Sequence, residues 1–366
     1  MGIRTVHWTD EQAAAVTASG DVLLAASAGT GKTTTVVGKI LWMLGLEAGL
    51  HGDPPTELSP CESPCRLDQI AAITFTEKAA YDLKRKLRSE IEASERGDQL
   101  RWEIDNASVG TIHGFCAELL REHALRLEID PTFRVLDERE TRVHQDELLR
   151  DLLKGALADA EPEAQALVRR FKGMYDRTHQ SGAIGNIREV MRDIRWHSRR
   201  YARWITSGPD GDQQLDPDVL WEIAERAGLA DPDPDGRGHD EEALRIATYL
   251  YRYAYRALGQ WLSWLEVENL RDFDSLILDA RRLLTRPGTR PALEAVRSRY
   301  RILIIDEFQD TDAAQRDIAF AIAGLSAEAG ELPQQRPQLF LVGDPKQSIY
   351  RFRGADIGVW NDVRAS

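Results

Sequence analysis

The sequence predicts an α/β protein in which a parallel sheet is flanked by helices and carries an inserted all-α domain. Two short apolar runs, at residues 21–26 and 302–305, have the length and composition of buried strands, and each ends in a turn rich in glycine or acidic residues. The segment after the first run has the helical spacing of apolar residues. Between the two runs lies a long stretch that is helical and rich in tryptophan and arginine, which indicates an insertion.

The first strand leads into the string ASAGTGKT at residues 26–33. Gly29 and Gly31 let the backbone turn its amides toward phosphate oxygens, and the N-terminus of the next helix adds partial positive charge. The pattern predicts that Lys32 reaches the β and γ phosphates and that Thr33 holds Mg²⁺. Ala26 departs from the strict pattern, which has glycine there. ATP and Mg²⁺ are the expected cofactors, and the expected nucleotide-binding residues of this loop are Ala28, Gly29, Thr30, Gly31, Lys32, Thr33 and Thr34.

The second strand delivers two carboxylates, in the string RILIIDEFQDTD at residues 301–312. Ligands of α/β sheets bind at the carboxyl ends of the strands, where Asp306 and Glu307 are expected. Asp306 suits a magnesium ligand, and Glu307 suits the carboxylate that orients and deprotonates the attacking water in phosphoryl transfer. An acidic strand end is often only solvated, but its company with Lys32 and Thr33 favours a P-loop NTPase over a chance glycine-rich loop.

Four further strings accompany this pair: WTDEQAAAV at 8–16, AAITFTEKAAYDLKRKL at 71–87, VGTIHGFC at 109–116 and LFLVGDPKQSIYRFRGAD at 339–356. Together they resemble superfamily 1 DNA helicases of the UvrD/Rep type, and most closely the RecB and AddA subunits of recombination helicase-nucleases. The resemblance covers nearly the whole chain but is strong only at the motifs. It implies a RecA-like ATPase domain, ATP-dependent 3′-to-5′ helicase or translocase activity on DNA, and a role in DNA repair and recombination.

The same resemblance implies roles for individual residues. Gln12 would read adenine, although a glutamine in a short helix is most often surface decoration, and Gln347 would sense the γ-phosphate as a third catalytic residue beside Glu307 and Lys32. Thr111 and His113 would touch the DNA backbone or brace their loop, with a buried hydrogen-bonded histidine as the alternative for His113. Aromatic residues hold single-stranded DNA by stacking on bases without reading sequence. The expected DNA-binding residues are Phe75, Lys78, Thr111, His113, Tyr350, Phe352 and Arg353.

The domain organisation follows from where the helical stretch begins and ends. We expect residues 1–136 and 273–366 to form the RecA-like domain and residues 137–272 to form the helical insertion. The family's second RecA-like motor domain has no counterpart in this sequence, which predicts weak ATP·Mg²⁺ binding and slow hydrolysis by the isolated chain. Within the insertion, five arginines share one helical stripe that could track duplex phosphates or be an ordinary solvated face: Arg188, Arg192, Arg195, Arg199 and Arg203.

Composition restricts the remaining options. The net charge of −13 over 366 residues argues against a protein that coats or wraps DNA, and leaves room for a translocase with a local basic track. No apolar run approaches the ~20 residues of a membrane span, and no signal core precedes the first motif, so a cytoplasmic protein without membrane contact is expected. Cys61 and Cys65 could form half of a metal site, but no second pair with ligand spacing is present.

Three functional interpretations remain open on the sequence. The leading one is the amino-terminal, ATP-binding part of a DNA helicase, whose partners are single-stranded and forked DNA and a subunit that supplies the second motor domain or a nuclease. The second is a nucleotide-switched module that binds single-stranded DNA or acts as a scaffold without unwinding. The third, an unrelated P-loop ATPase such as a recombinase or transporter, is disfavoured by the string at residues 339–356.

Overall fold

A computed structural model describes the chain at residues 8–27, 30–46, 58–94, 96–104, 107–175, 182–197, 206–207, 213–214, 217–229, 241–325 and 335–344. The chain divides into two compact units. The first, called here the sheet unit, consists of Met1–Thr132 and Asp274–Ser366, and the second, the helical unit, is Phe133–Phe273.

Strands and helices alternate through the sheet unit. In chain order the strands of the described residues are β1 (Val22–Ala25), β2 (Ile70–Thr74), β3 (Ser108–Thr111), β4 (Arg134–Val135), β5 (Thr206–Ser207), β6 (Gln213–Gln214), β7 (Leu270–Arg271), β8 (Ile302–Ile305) and β9 (Gln338–Gly343). The α-helices are α1 (Asp10–Thr17), α2 (Lys32–Met43), α3 (Glu77–Ala93), α4 (Gly97–Leu100), α5 (Ile112–Glu122), α6 (Glu138–Ala158), α7 (Pro162–Arg170), α8 (Ala183–Trp196), α9 (Pro217–Arg226), α10 (Glu241–Val267), α11 (Phe273–Thr285), α12 (Arg290–Arg299) and α13 (Ala313–Ala323).

Five of these strands form one sheet in the order β1-β9-β8-β2-β3, and every neighbouring pair is parallel. Strands β2 and β8 are buried along their whole length, as expected of a parallel sheet covered on both faces. Alternate residues of β8 and β9, such as Ile302, Ile304 and Phe340, share one core cluster with apolar residues of α2 and α3. The predicted α/β fold with a parallel sheet flanked by helices is confirmed.

The helical unit has its own core, built from apolar residues of α6 to α10. Two short ladders belong to it: β4 pairs with β7 in parallel, and β5 pairs with β6 in antiparallel. The compact unit begins at Phe133, before the predicted boundary at residue 137, because the pairing of β4 with β7 joins residues 134–135 to the return of the chain. No helix in the described ranges has the length and apolarity needed to cross a membrane.

The predicted arginine stripe of the helical unit is wrong as a continuous exposed surface. Arg195 is buried and forms a two-pronged ion pair with Asp272, at 2.7 and 2.9 Å, and Asp272 also accepts a hydrogen bond from Trp261 Nε1 at 2.9 Å. Arg188 is half-buried and pairs with Asp146. Arg192 is exposed, and Arg199 and Arg203 lie outside the described residues. Two of the arginines therefore hold the unit together.

Candidate nucleotide and nucleic-acid site

The predicted motif residues come together at one edge of the sheet. Because all five strands are parallel, their carboxyl ends lie at the same edge. At that edge β1 leads into the glycine-rich loop, β8 into Asp306 and β9 into Asp344, while β2 and β3 lead into Phe75 and His113. The strand order places the three nucleotide segments side by side and the two candidate DNA segments next to them.

The glycine-rich loop requires glycine at position 31. Gly31 is the N-cap of α2 and has φ of 87°, in the left-handed region that other residues avoid. Helix α2 then begins at Lys32, with Thr33 and Thr34 half-buried in its first turn. The backbone amides of a helix start are the donors that a phosphate needs, so this part of the loop fits a nucleotide. Ala28 and Gly29 lie outside the described residues.

Helix α1 brings Gln12 against this loop. Its side chain closes a capping box with Thr9, and its Nε2 donates to the carbonyl oxygen of Thr30 at 2.8 Å. A Cβ on Gly38 of α2 would overlap Trp8, so glycine at that position lets the chain before α1 pack closely on α2. Gln12 is therefore a fixed part of the site. Among the described residues, these contacts leave one N–H and one lone pair of its amide for a base edge.

The buried Lys39 secures the other end of α1. Its ammonium donates to the carbonyl oxygens of Val16 and Ala18, at 3.1 and 2.6 Å, and so satisfies acceptors that the end of α1 leaves unpaired. Burial lowers the pKa of Lys39 to about 8. No local pattern singles out this lysine, because the carbonyls that hold it lie 23 and 21 residues away.

Lys32 and Glu307 meet at the centre of the edge. Lys32 Nζ lies 2.7 Å from Glu307 Oε2, and the two side chains are 10% and 34% exposed. Glu307 has φ of 54° although it is not glycine, a backbone conformation that persists only where the surroundings enforce it. Its N–H donates to the carboxylate of the preceding Asp306 at 3.0 Å. The structure thus brings the two predicted catalytic residues into direct contact.

The carboxylates around Glu307 are in a setting that favours a cation. Burial, and then the charge of Glu307, raise the pKa of Asp306 to about 6, and the same two causes raise the pKa of Asp310 to about 6. The Oδ1 atom of Asp310 is buried and has no hydrogen-bond partner among the described residues. Carboxylate oxygens are the ligands that Mg²⁺ prefers, so Asp306, with Thr33 across the edge, suits the predicted ion.

Gln309 is a site residue that sequence reasoning missed. It is buried, its Nε2 donates to Glu307 Oε2 at 2.7 Å, and its Oε1 accepts from the N–H of Asp344 at 2.8 Å. Asp344 is 35 residues away in the chain and comes within reach only because β9 lies beside β8. No local pattern reveals such a contact.

The candidate DNA residues occupy the ends of β2 and β3. Phe75 is half-buried and Lys78 is exposed at the start of α3. Thr111 caps α5, accepting from Gly114 N–H and donating to Glu77 at 3.0 Å, so its hydroxyl braces the two loops against each other. His113 is half-buried in the first turn of α5. The remaining predicted residues lie outside the described part of the chain: Gln347, Tyr350, Phe352 and Arg353.

Cys61 and Cys65 are the cysteines that the sequence offers as half of a metal site. Cys61 and Cys65 are free thiols, and burial raises the pKa of Cys65 to about 11. Within the described ranges, no group of three or more histidine, cysteine or acidic side chains is arranged to hold a metal ion. The described residues therefore offer no further ligands to complete a metal site at Cys61 and Cys65.

Comparison with known proteins identifies the family of the chain. The sequence profile of the UvrD/REP helicase N-terminal domain matches residues 8–366. The chain belongs to this family. An ATP-dependent helicase/nuclease subunit from Exiguobacterium sibiricum is 24% identical over 97% of this chain and 37% of its own length. The protein of the same name from Pelotomaculum thermopropionicum is 33% identical over 48% of this chain and 13% of its own length.

Membership of the UvrD/REP helicase family agrees with the parallel sheet and with the position of the glycine-rich loop at its edge. A third relative, the ATP-dependent helicase/nuclease subunit from Desulforudis audaxviator, is 24% identical over 96% of this chain and 36% of its own length. The chain therefore spans little more than a third of the length of the relatives that it matches throughout. The predicted resemblance to UvrD-like and AddA-like proteins is confirmed.

Proposed function

We propose that this chain is the amino-terminal, ATP-hydrolysing portion of a DNA helicase or translocase that moves 3′ to 5′ along single-stranded DNA in repair and recombination. The observation that carries the proposal is the contact between Lys32 and Glu307 at the carboxyl edge of the sheet. It places a lysine suited to bind phosphate beside a carboxylate suited to activate water, and phosphoryl transfer needs both groups near one γ-phosphate. The sheet unit is then the first motor domain, and the helical unit is its insertion.

Nucleotide binding releases the catalytic carboxylate in this proposal. Without nucleotide, Lys32 and Gln309 both donate to Glu307 Oε2. A bound triphosphate offers Lys32 more negative charge than one carboxylate does, so Lys32 moves to the β and γ phosphates and leaves Gln309 as the donor to that oxygen. Glu307 then orients the attacking water and accepts its proton. Thr33 and Asp306 would hold Mg²⁺, which would supply positive charge against the phosphates.

DNA contacts the neighbouring ends of β2 and β3. Phe75 offers a ring to a base, and Lys78 offers a charge to a phosphate. Gln347, Tyr350, Phe352 and Arg353 follow β9 in the sequence, so the segment that would sense the γ-phosphate also carries the stacking residues. Single-stranded and forked DNA are the proposed substrates. The relatives are named as subunits, which supports a partner protein for this chain. That partner would supply a nuclease or a second motor domain.

The proposal is tested by the rate of ATP hydrolysis of the full-length protein, with and without an oligothymidylate. We expect Glu307→Gln to reduce kcat by about 10²- to 10⁴-fold while ATP still binds, because the substitution removes the proton acceptor and keeps the shape. Lys32→Ala should weaken ATP binding itself. Glu103→Gln and Lys154→Ala repeat the same changes at exposed positions and should leave both quantities unchanged.

DNA stimulation separates this proposal from its main rival. A helicase motor should hydrolyse ATP faster when single-stranded DNA is bound, and Phe75→Ala should reduce that stimulation, whereas Tyr255→Ala, at an exposed tyrosine of the helical unit, should not. If ATP altered DNA affinity but Glu307→Gln left the rate of hydrolysis at the wild-type level, the chain would be a nucleotide-switched binding module instead.

A further inference from the structure

Gln309 joins the catalytic carboxylate to the end of strand β9 through one side chain. Its amide nitrogen donates to Glu307 Oε2 at 2.7 Å, and its amide oxygen accepts from Asp344 N–H at 2.8 Å. We propose that Gln309 is a positioning residue that holds Glu307 in register with Asp344 at the end of β9. The inference rests on the proposed function, because it gives Glu307 the role of the base.

The contact needs glutamine. A donor must face Glu307, which is acidic, and an acceptor must face the Asp344 N–H, and an amide presents both in one plane. Gln309 is only 7% exposed, so replacing it by an apolar residue leaves the buried Asp344 N–H without this partner. The short 3₁₀ turn Phe308–Asp310, anchored by the buried Phe308, fixes the backbone from which the side chain reaches both groups.

The left-handed backbone of Glu307 makes its orientation dependent on the hydrogen bond from Gln309. A non-glycine residue at φ of 54° depends on its surroundings to stay there. Lys32 is one support, but in the proposed cycle it leaves for the phosphates when ATP binds. Gln309 then remains to hold Oε2, and through it the orientation of Glu307 follows the position of Asp344.

The segment that follows Asp344 carries the residues predicted to sense the γ-phosphate and to stack on DNA. A change in the position of Asp344 when that segment binds DNA would therefore alter Glu307 through one hydrogen-bonded side chain. This gives Gln309 a place in the stimulation of hydrolysis by DNA, distinct from the predicted role of Gln347.

The test compares Gln309→Leu and Gln309→Glu with the wild-type full-length protein. Leucine removes the hydrogen bonds to Glu307, Asp310 and Asp344, whereas glutamate keeps the acceptor for Asp344 N–H, loses the donors and adds a negative charge. Because a misplacement of about 1 Å can cost ~100-fold in rate, we expect both variants to lose about 10- to 100-fold in kcat, with KM and the Kd for a fluorescent ATP analogue changed less than about threefold. Stimulation by oligothymidylate should fall toward one. Gln99→Leu, at an exposed glutamine, is the matched control.

A double-mutant cycle separates this inference from the proposed function. If Gln309 acts through Glu307, the variant carrying both Gln309→Leu and Glu307→Gln hydrolyses ATP no more slowly than Glu307→Gln alone. A further independent loss in the double variant, or a Gln309→Glu variant with the wild-type kcat, would overturn the positioning role while leaving the base in place. A wild-type rate for Glu307→Gln alone would instead overturn the proposed function.

Discussion

Asp312 provides a stability test with a sign that can be worked out from the structure. It is the N-cap of α13, and its Oδ1 accepts from Gln315 N–H at 2.9 Å. Burial raises the pKa of its carboxyl from 3.8 to about 6, even though hydrogen bonds from Gln315 and Ala314 act in the opposite direction. We expect Asp312→Asn to stabilise the sheet unit at neutral pH, because asparagine keeps the cap and removes the charge.

The pH dependence follows from where the proton is held. Between about pH 4 and pH 6 the folded state keeps a proton on Asp312 that the unfolded chain has lost, so the contribution of this group to stability falls as pH rises through that interval. The interval from 3.8 to about 6 corresponds to about 3 kcal/mol at most. Since the side chain is half-buried and partly screened by solvent, about 1–2 kcal/mol is the realistic gain for the asparagine variant.

The assay is denaturation by guanidinium chloride at several pH values between 5 and 8. The advantage of Asp312→Asn should be largest at pH 8 and should shrink below about pH 6. Asp312→Ala removes the cap as well, and should be about 1 kcal/mol less stable than the asparagine variant throughout. Asp151→Asn, at an exposed position, should change nothing. An Asp312→Asn variant that is less stable than wild type at every pH, or an advantage that does not vary with pH, would refute the reasoning.

Three further substitutions and one control test the site and the insertion. Gly31→Ala forces a side chain onto a backbone at φ of +87°, with its Cβ 3.1 Å from Gln12 Nε2. Because a left-handed backbone costs other residues about 1–2 kcal/mol, we expect ATP binding to weaken about tenfold, as measured by calorimetry. Gly20→Ala, whose Cβ would meet nothing within 4 Å, should bind as wild type does. Asp272→Ala leaves the buried Arg195 without its carboxylate and should cost the helical unit about 3–5 kcal/mol in chemical denaturation. Trp261→Phe removes one hydrogen bond and leaves a cavity at a fully buried position, and should cost about 1–3 kcal/mol.

The sequence was most informative where local patterns and the chemistry agree. The strand β1, the glycine at position 31 and the helix α2 are adjacent in the chain, so a single string predicts all three. The apolar run of β8 predicts a buried parallel strand for the same reason, and a parallel sheet requires that its carboxyl end meet that of β1. The meeting of Lys32 with Glu307 is therefore predictable across 275 residues without knowledge of any side-chain contact.

The prediction failed where a partner comes from elsewhere in the chain. Helical spacing correctly places Arg188, Arg192 and Arg195 in one helix, but periodicity cannot show that Asp272, 77 residues away, makes burial of Arg195 favourable. The sequence also gives no signal for β4, because a strand of two residues is too short to be recognised and is fixed by its pairing with β7. Charged residues at helical spacing thus predict a helix more safely than they predict its exposed face.

Glu307 Oε2 is the point at which these separate parts of the chain meet. One donor to it, Lys32, comes from the helix that would hold phosphate, and the other, Gln309, leads to the strand that precedes the predicted DNA-stacking residues. Two donors to one carboxylate oxygen lower its basicity, and the withdrawal of Lys32 raises that basicity again while Gln309 keeps the carboxylate oriented. In the proposed cycle ATP withdraws Lys32 from this oxygen, and DNA acts through Asp344 on the orientation that Gln309 maintains, so fast hydrolysis needs both ligands.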